Sequence, residues 1–378
     1  MKKVLLAAPI MIGWYVMGFC DLIGSVMSNV KADCGVSDAV AGFLPSMVFL
    51  WFFLLSVPSG MLASRIGRRN TVIVSMATTI AAMALGYFAG KNVWMYYVAF
   101  ALIGIGNTII QAALPGLFAN ISTPDKMTSL ISFGQFTKAI CSAMSPLFVW
   151  LAAVALGDWR LLFPIYGALT LVAAVWLAVT PIPREERAGA GAGFLDCLAL
   201  LKTPFILLMF TGVFASVAAD VGFNVFAKMY MMIRCGMEEG PAGAAQTVYF
   251  VAKTIGAFAG AILFAKVKPA KCYLPTMLIA LVAAVALFIP GLGKTCALAA
   301  FFFVGLGLAN TFGIAMGQAL ERYPEKTTEI NGLMIMAVSG GALTPPLMGF
   351  AGYTAGALVV LLVFTVYMLA LSLSVRRG

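Results

Sequence analysis

Gly60-Met61-Leu62-Ala63-Ser64-Arg65-Ile66-Gly67-Arg68-Arg69 closes a long apolar run and turns it into a short basic loop. About 200 positions later, Gly260 stands ahead of Lys266-Val267-Lys268 in the same relation. Three more anchors recur in the same order at about the same displacement. Asp21 returns as Asp220, Pro124-Asp125-Lys126 as Pro324-Glu325-Lys326, and Ser145-Pro146-Leu147 as Pro345-Pro346-Leu347. The chain therefore reads as two copies of one unit. Six apolar runs separate the copies, so they are parallel and related by an axis along the membrane normal.

Composition sets what those runs are. Of 378 residues, 62% are hydrophobic and only 10% are charged, against about a quarter charged in soluble domains. A membrane span needs about 20 apolar residues, and twelve candidate runs lie near 5–30, 39–63, 71–90, 94–118, 129–156, 161–180, 204–232, 243–265, 273–290, 297–320, 330–352 and 355–374. The expected fold is an all-α integral membrane protein of twelve transmembrane helices, built as two six-helix parallel pseudo-repeats. An N-terminal half over 1–180 and a C-terminal half over 203–378 would be joined by a cytoplasmic linker, 181–202, the one long, polar, Gly-rich connection. The first run continues past signal-peptide length and holds Asp21, so it is read as a span.

Lys and Arg outnumber Asp and Glu by 24 to 14. The excess lies in short loops, sixteen basic residues on one side and five on the other, which points to membrane orientation rather than to nucleic acid. Both termini are then cytoplasmic, in a multi-pass protein of a bacterial inner membrane, monomeric in its bilayer. With no His in the chain, His-based catalysis, metal sites and proton relays are excluded. No clustered acids, nucleotide-binding Gly-Lys-Ser/Thr loop or CxxC is present, so the reading is a non-enzyme without metal or cofactor. Cys34 and Cys235, in the first loop of each half, are read as free thiols.

Charges inside spans are expensive and need a reason. There are five: Asp21, Lys138, Asp220, Lys228 and Lys253. Asp21, Ser25 and Asn29 share one helix face at i, i+4 and i+8, and the repeat places Asp220, Asn224 and Lys228 correspondingly on the seventh span. Asp21 and Asp220 are read as ion-coupling carboxylates, with Ser25, Asn29 and Asn224 in a binding stripe. The alternative, aspartates that merely pair with lysines, stays open. Lys138 and Lys253 sit mid-span, as partners of an aspartate or as clamps for a negative group, whereas Lys228 near a span end is expected to snorkel to the surface. Gln111, Gln135 and Asn310 add hydrogen-bonding capacity, and Tyr249 offers a ring for stacking. Three lysines against two aspartates leave one positive charge, which would favour an anion.

The segment from Gly60 to Arg69 resembles the loop motif between helices 2 and 3 of the major facilitator superfamily, with Ser64 where that motif has an acid. Gly60, Arg65, Gly67 and Arg68 would then form its cytoplasmic gate loop. Gly18-Phe19-Cys20-Asp21-Leu22-Ile23, the run from Tyr249 to Gly260 and the run from Gly332 to Pro346 resemble the fucose permease branch of sugar–proton symporters. The resemblance implies a secondary active symporter that moves a small sugar or sugar-like solute with a proton or sodium ion by alternating access. The residue count keeps a second reading, a carrier or exchanger of a small organic anion. The family's second carboxylate, on helix 4, falls on Ile110, so its two-carboxylate scheme does not transfer whole.

Overall fold

Apolar runs of this length must satisfy their own backbone polar groups, because lipid offers no partners, and the α-helix does so within one segment. The computed structural model describes residues 2–119, 124–182, 193–264, 267–353 and 355–377. Twelve helices in it are long and apolar enough to cross a membrane. They are α1 Ala7–Cys34, α2 Asp38–Ile66, α3 Arg68–Phe88, α4 Val93–Leu117, α5 Gly134–Ala155, α6 Trp159–Val179, α7 Pro204–Cys235, α8 Glu239–Phe264, α9 Pro269–Ala286, α10 Lys294–Arg322, α11 Glu329–Phe350 and α12 Ala355–Ser374. No strand occurs among the described residues. Of the basic residues counted above, Arg184, Arg187 and Lys266 lie outside the described residues, as do the side chains of Lys2, Lys3, Lys126, Arg376 and Arg377. The linker centre, 183–192, lies outside them too. Phe88, Val154, Val179, Phe258 and Val282 are each about two-thirds or more exposed on the outer surface, as a lipid-facing belt requires.

The repeat extends to local geometry. α1 ends on Gly35 and α7 on Gly236, both left-handed with φ of 63° and 61°, a conformation that glycine adopts without a Cβ penalty. Gly104 of α4 lies on the Val48 backbone of α2, and Gly305 of α10 lies on the Tyr249 backbone of α8. In each pair an added Cβ would overlap the facing carbonyl oxygen, so only glycine permits that approach. The copies also differ. A 3-10 turn, Gly18–Asp21, interrupts α1, while α7 is unbroken through Asp220. In the second copy the interruption falls instead at Val338–Ala342 in α11.

Contacts between the first six helices and the last six run through α1 on α7, α2 on α11 and α5 on α8. They are tight at the face opposite the basic loops. There Ser46 Oγ donates to the Ala342 carbonyl at 2.5 Å, Gly24 lies against Asn224, Gly42 against Pro345, and Gly240 against Trp150. Toward the basic face, Gly60 on α2 and Gly313 and Gly317 on α10 meet open space. The short helix Phe194–Ala199 follows the linker. Its Cys197 is buried beside Gly332, and that burial, with Glu329 and Asp196 nearby, pushes the thiol up from its ordinary range. All seven cysteines are free, Cys34 and Cys235 included.

Candidate functional site

The interruption of α1 delivers Asp21 to the interior at the end of its 3-10 turn. Ser142 of α5 donates its hydroxyl to Asp21 Oδ2 at 2.6 Å, and the Cys20 thiol approaches Oδ1 at 3.7 Å. No cation binds Asp21 directly among the described residues. Across the interface, Asp220 of α7 is gripped by α8. Lys253 Nζ donates to both carboxylate oxygens, at 2.7 and 2.6 Å, and the Tyr249 hydroxyl adds a bond at 2.5 Å. The Lys253 ammonium also stands 5.8 Å from the Tyr249 ring centre and 5.6 Å from that of Phe250, within cation–π reach. The Lys253 and Asp220 side chains are 23% and 27% exposed, so the pair is screened only partly.

Lys138 of α5 completes this central cluster. It is half-buried, makes no hydrogen bond or ion pair among the described residues, and lies in the field of both Asp21 and Asp220. Tyr249 likewise feels both aspartates. The cluster is thus one electrostatic unit of two acids and two lysines, contributed by four helices and by both copies.

A second cluster lies nearer the face opposite the basic loops. Lys228 is 5% exposed. Its Nζ reaches the Ser25 carbonyl at 3.3 Å, Ser28 Oγ at 2.6 Å, Asn29 Oδ1 at 3.3 Å and Glu239 Oε1 at 3.0 Å. The expectation that Lys228 snorkels is therefore corrected: α1 covers it, and Glu239 compensates its charge. Asn224 is buried and accepts from Gln246 Nε2 through its carbonyl at 2.9 Å and its Oδ1 at 3.2 Å. Thus Ser25, Asn29 and Asn224 stand together at the α1–α7 contact, one to two turns from the aspartates.

The other expected residues lie apart from these clusters. Gln111 is half-buried and Gln135 exposed. Asn310 Nδ2 donates to the Gly256 carbonyl at 2.8 Å, joining α10 to α8. In the basic loop, Gly67 turns at a φ of 83°, Arg65 is exposed, and Arg68 Nη1 donates to the Gly116 carbonyl at 3.1 Å. Arg69 donates to the Leu177 and Ala178 carbonyls at the end of α6, where unsatisfied carbonyls favour a cation. Ser64, in place of an acid, bonds back to the Met61 carbonyl at 2.8 Å. In this conformation Arg68 and Arg69 bind helix carbonyls within the first six helices.

Sequence reading missed two partners, Ser142 and Glu239. Ser142 follows Lys138 by four residues and so shares its face, a signal that was present. Glu239 begins α8, where a charge looks like loop, and no local pattern marks it. Its pairing overturns the count of one excess positive charge: with Glu239 included, three lysines meet three acids.

Twelve helices in two parallel repeats, with ionisable side chains held between them, define a class of polytopic membrane protein rather than a soluble or enzymatic one. The sequence pattern described as the Major Facilitator Superfamily matches residues 5–346, and the chain belongs to that superfamily. It is 23% identical over 223 residues to protein spinster homolog 1 of Xenopus tropicalis, covering 56% of this chain and 42% of that relative; the chain thus spans less than half of that relative's length. It is 22% identical over 317 residues to a glucose/galactose transporter of Brucella abortus, covering 79% and 75%. Among solved structures, the fucose:proton symporter of E. coli superposes with a TM-score of 0.71 at 16% identity, covering 99% of each chain. These relatives are transporters, not enzymes, and the likeness to sugar–proton symporters read from the sequence has its counterparts among them.

Proposed function

We propose that the protein is a secondary active carrier that couples one proton to the movement of a small, neutral, sugar-like solute by alternating access. The basic face would be cytoplasmic, with both termini there, in a bacterial inner membrane. Residues 1–180 and 203–378 would rock as two bodies about the linker 181–202, as a monomer. The observation that carries the reading is the unequal holding of the two aspartates. Asp220 has its charge balanced by Lys253, whereas Asp21 meets only a hydroxyl, a thiol and the field of Lys138. A proton can neutralise Asp21 without first breaking an ion pair. The donor set, one hydroxyl and one thiol, suits a proton better than a sodium ion, which needs a shell of oxygens.

Neutralising a buried carboxylate removes the cost of carrying its charge through a closed intermediate. The closed face opposite the basic loops and the open surroundings of Gly60, Gly313 and Gly317 support an inward-facing state. Solute would then bind beside the cluster, with Lys138 and Tyr249 at hand. The balance of three lysines with three acids supports a neutral cargo. One observation favours the second reading, a small organic anion: Lys138 has no bound partner and could receive a carboxylate.

Substrate-induced current in proteoliposomes, without sodium and at several pH values, separates the two. Neutral sugars should evoke inward positive current that grows with the proton gradient. Current with sugar acids or carboxylates alone would move the assignment to the anion reading, and no current with any of these solutes would sink the symport.

A further inference from the structure

A cavity of about 250 Å³ opens on the face opposite the basic loops, between α1, α5, α7 and α8. It lies apart from the aspartate cluster, and the Lys228 network forms part of its wall. Trp150 of α5 supplies an aromatic wall, packed against Gly240 of α8. What distinguishes the cavity is the state of its polar atoms. The donors are spent: Lys228 Nζ serves four acceptors, and Gln246 Nε2 serves Asn224. The acceptors are not. Gln246 is fully buried and its Oε1 has no hydrogen-bond partner, a vacancy of a kind that costs about 1–3 kcal/mol. Glu238, at the rim, makes no hydrogen bond or ion pair among the described residues. Lys228 against Glu238 and Glu239 leaves the lining with one net negative charge.

We infer that this cavity is a second binding site, separate from the central cluster, and that it takes a small protonated amine. An ammonium supplies the N–H donors that Gln246 Oε1 lacks and the charge that Glu238 leaves uncompensated, while Trp150 covers its carbon skeleton. An anion would meet two carboxylates and no free donor. The walls come from both copies, so an occupant adds contacts only while this face is closed. A bound amine thereby favours the conformation described here over one with the face parted.

The test is calorimetric titration of the full chain in lipid nanodiscs with ethanolamine at pH 7, and with ethylene glycol as the uncharged control. Saturable ethanolamine binding is expected, with ethylene glycol about tenfold weaker or worse. Glu238 is exposed and bonds to nothing described, so its variants should fold; Glu238→Gln should raise the Kd about threefold and Glu238→Lys about tenfold. Asp220→Asn should leave ethanolamine binding unchanged. Absence of saturable binding, equal binding of ethylene glycol, or indifference to Glu238→Lys would each overturn the proposal. Loss of binding in Asp220→Asn would place the amine in the central cluster and overturn it as well.

Discussion

In the first copy, the aspartate of the repeat ends a 3-10 turn and receives one hydroxyl from a neighbouring helix. In the second, the aspartate sits in unbroken helix and is clasped by an ammonium and a phenol. Positions that correspond by descent along the chain have been given different neighbours. The residues at corresponding places to Tyr249 and Lys253 are Phe49 and Phe53 or close to them, and neither can bond a carboxylate. Symmetry of backbone has been kept while symmetry of charge has been given up. One acid is left free to change its protonation state, and the other is fastened.

Three experiments sharpen or break that contrast. The largest effect is expected from Asp21→Asn, which should reduce gradient-driven accumulation to the level of empty vesicles while solute exchange persists. Undiminished accumulation would remove Asp21 from the coupling role. Next comes Lys253→Met, which strands Asp220 in a partly buried site. Breaking a buried pair costs about 3–5 kcal/mol, and the partial exposure lowers the expected loss to about 2–3 kcal/mol. It should appear as a lower melting temperature, recovered by Lys253→Met with Asp220→Asn. Lack of recovery would mean that the pair is not what holds Asp220. The smallest effect on stability belongs to Lys138→Met, below about 0.5 kcal/mol because no bond is lost. Its melting temperature should match the parent, while uptake falls. A destabilisation as large as that of Lys253→Met would show that Lys138 is paired after all, and the contrast between the lysines would fail.

The architecture was legible before any coordinates because it rests on quantities that sum along the chain. Twelve runs of apolar length imply twelve helices, and anchors such as Asp21 with Asp220 reveal the duplication without knowledge of packing. The intramembrane charges were legible for the same reason, since each violates its surroundings. Their partners were not. Ser142 meets Asp21 only because α1 and α5 pack in one particular register, and serines abound in these helices. Glu239 reaches back to Lys228 from the next helix, and its position at a span end disguised it as solvent-facing. Lys228 itself shows the limit of arguing from depth alone: it lies near the end of α7 as expected, yet Ser28 and Asn29 of α1 cover it. The chain reads clearly wherever the determinant is local, and poorly wherever it is a rotation of one helix against another.

The paired glycines carry a consequence for how this protein tolerates genetic change. At Gly104 and Gly305, even alanine would drive a methyl into the backbone of a neighbouring helix. A saturation screen should therefore return two kinds of intolerant position with different phenotypes. Lesions at Asp21 would yield well-made but idle protein, whereas lesions at Gly104 or Gly305 would yield little protein at all. Abundance measured beside activity would sort one from the other across the whole chain.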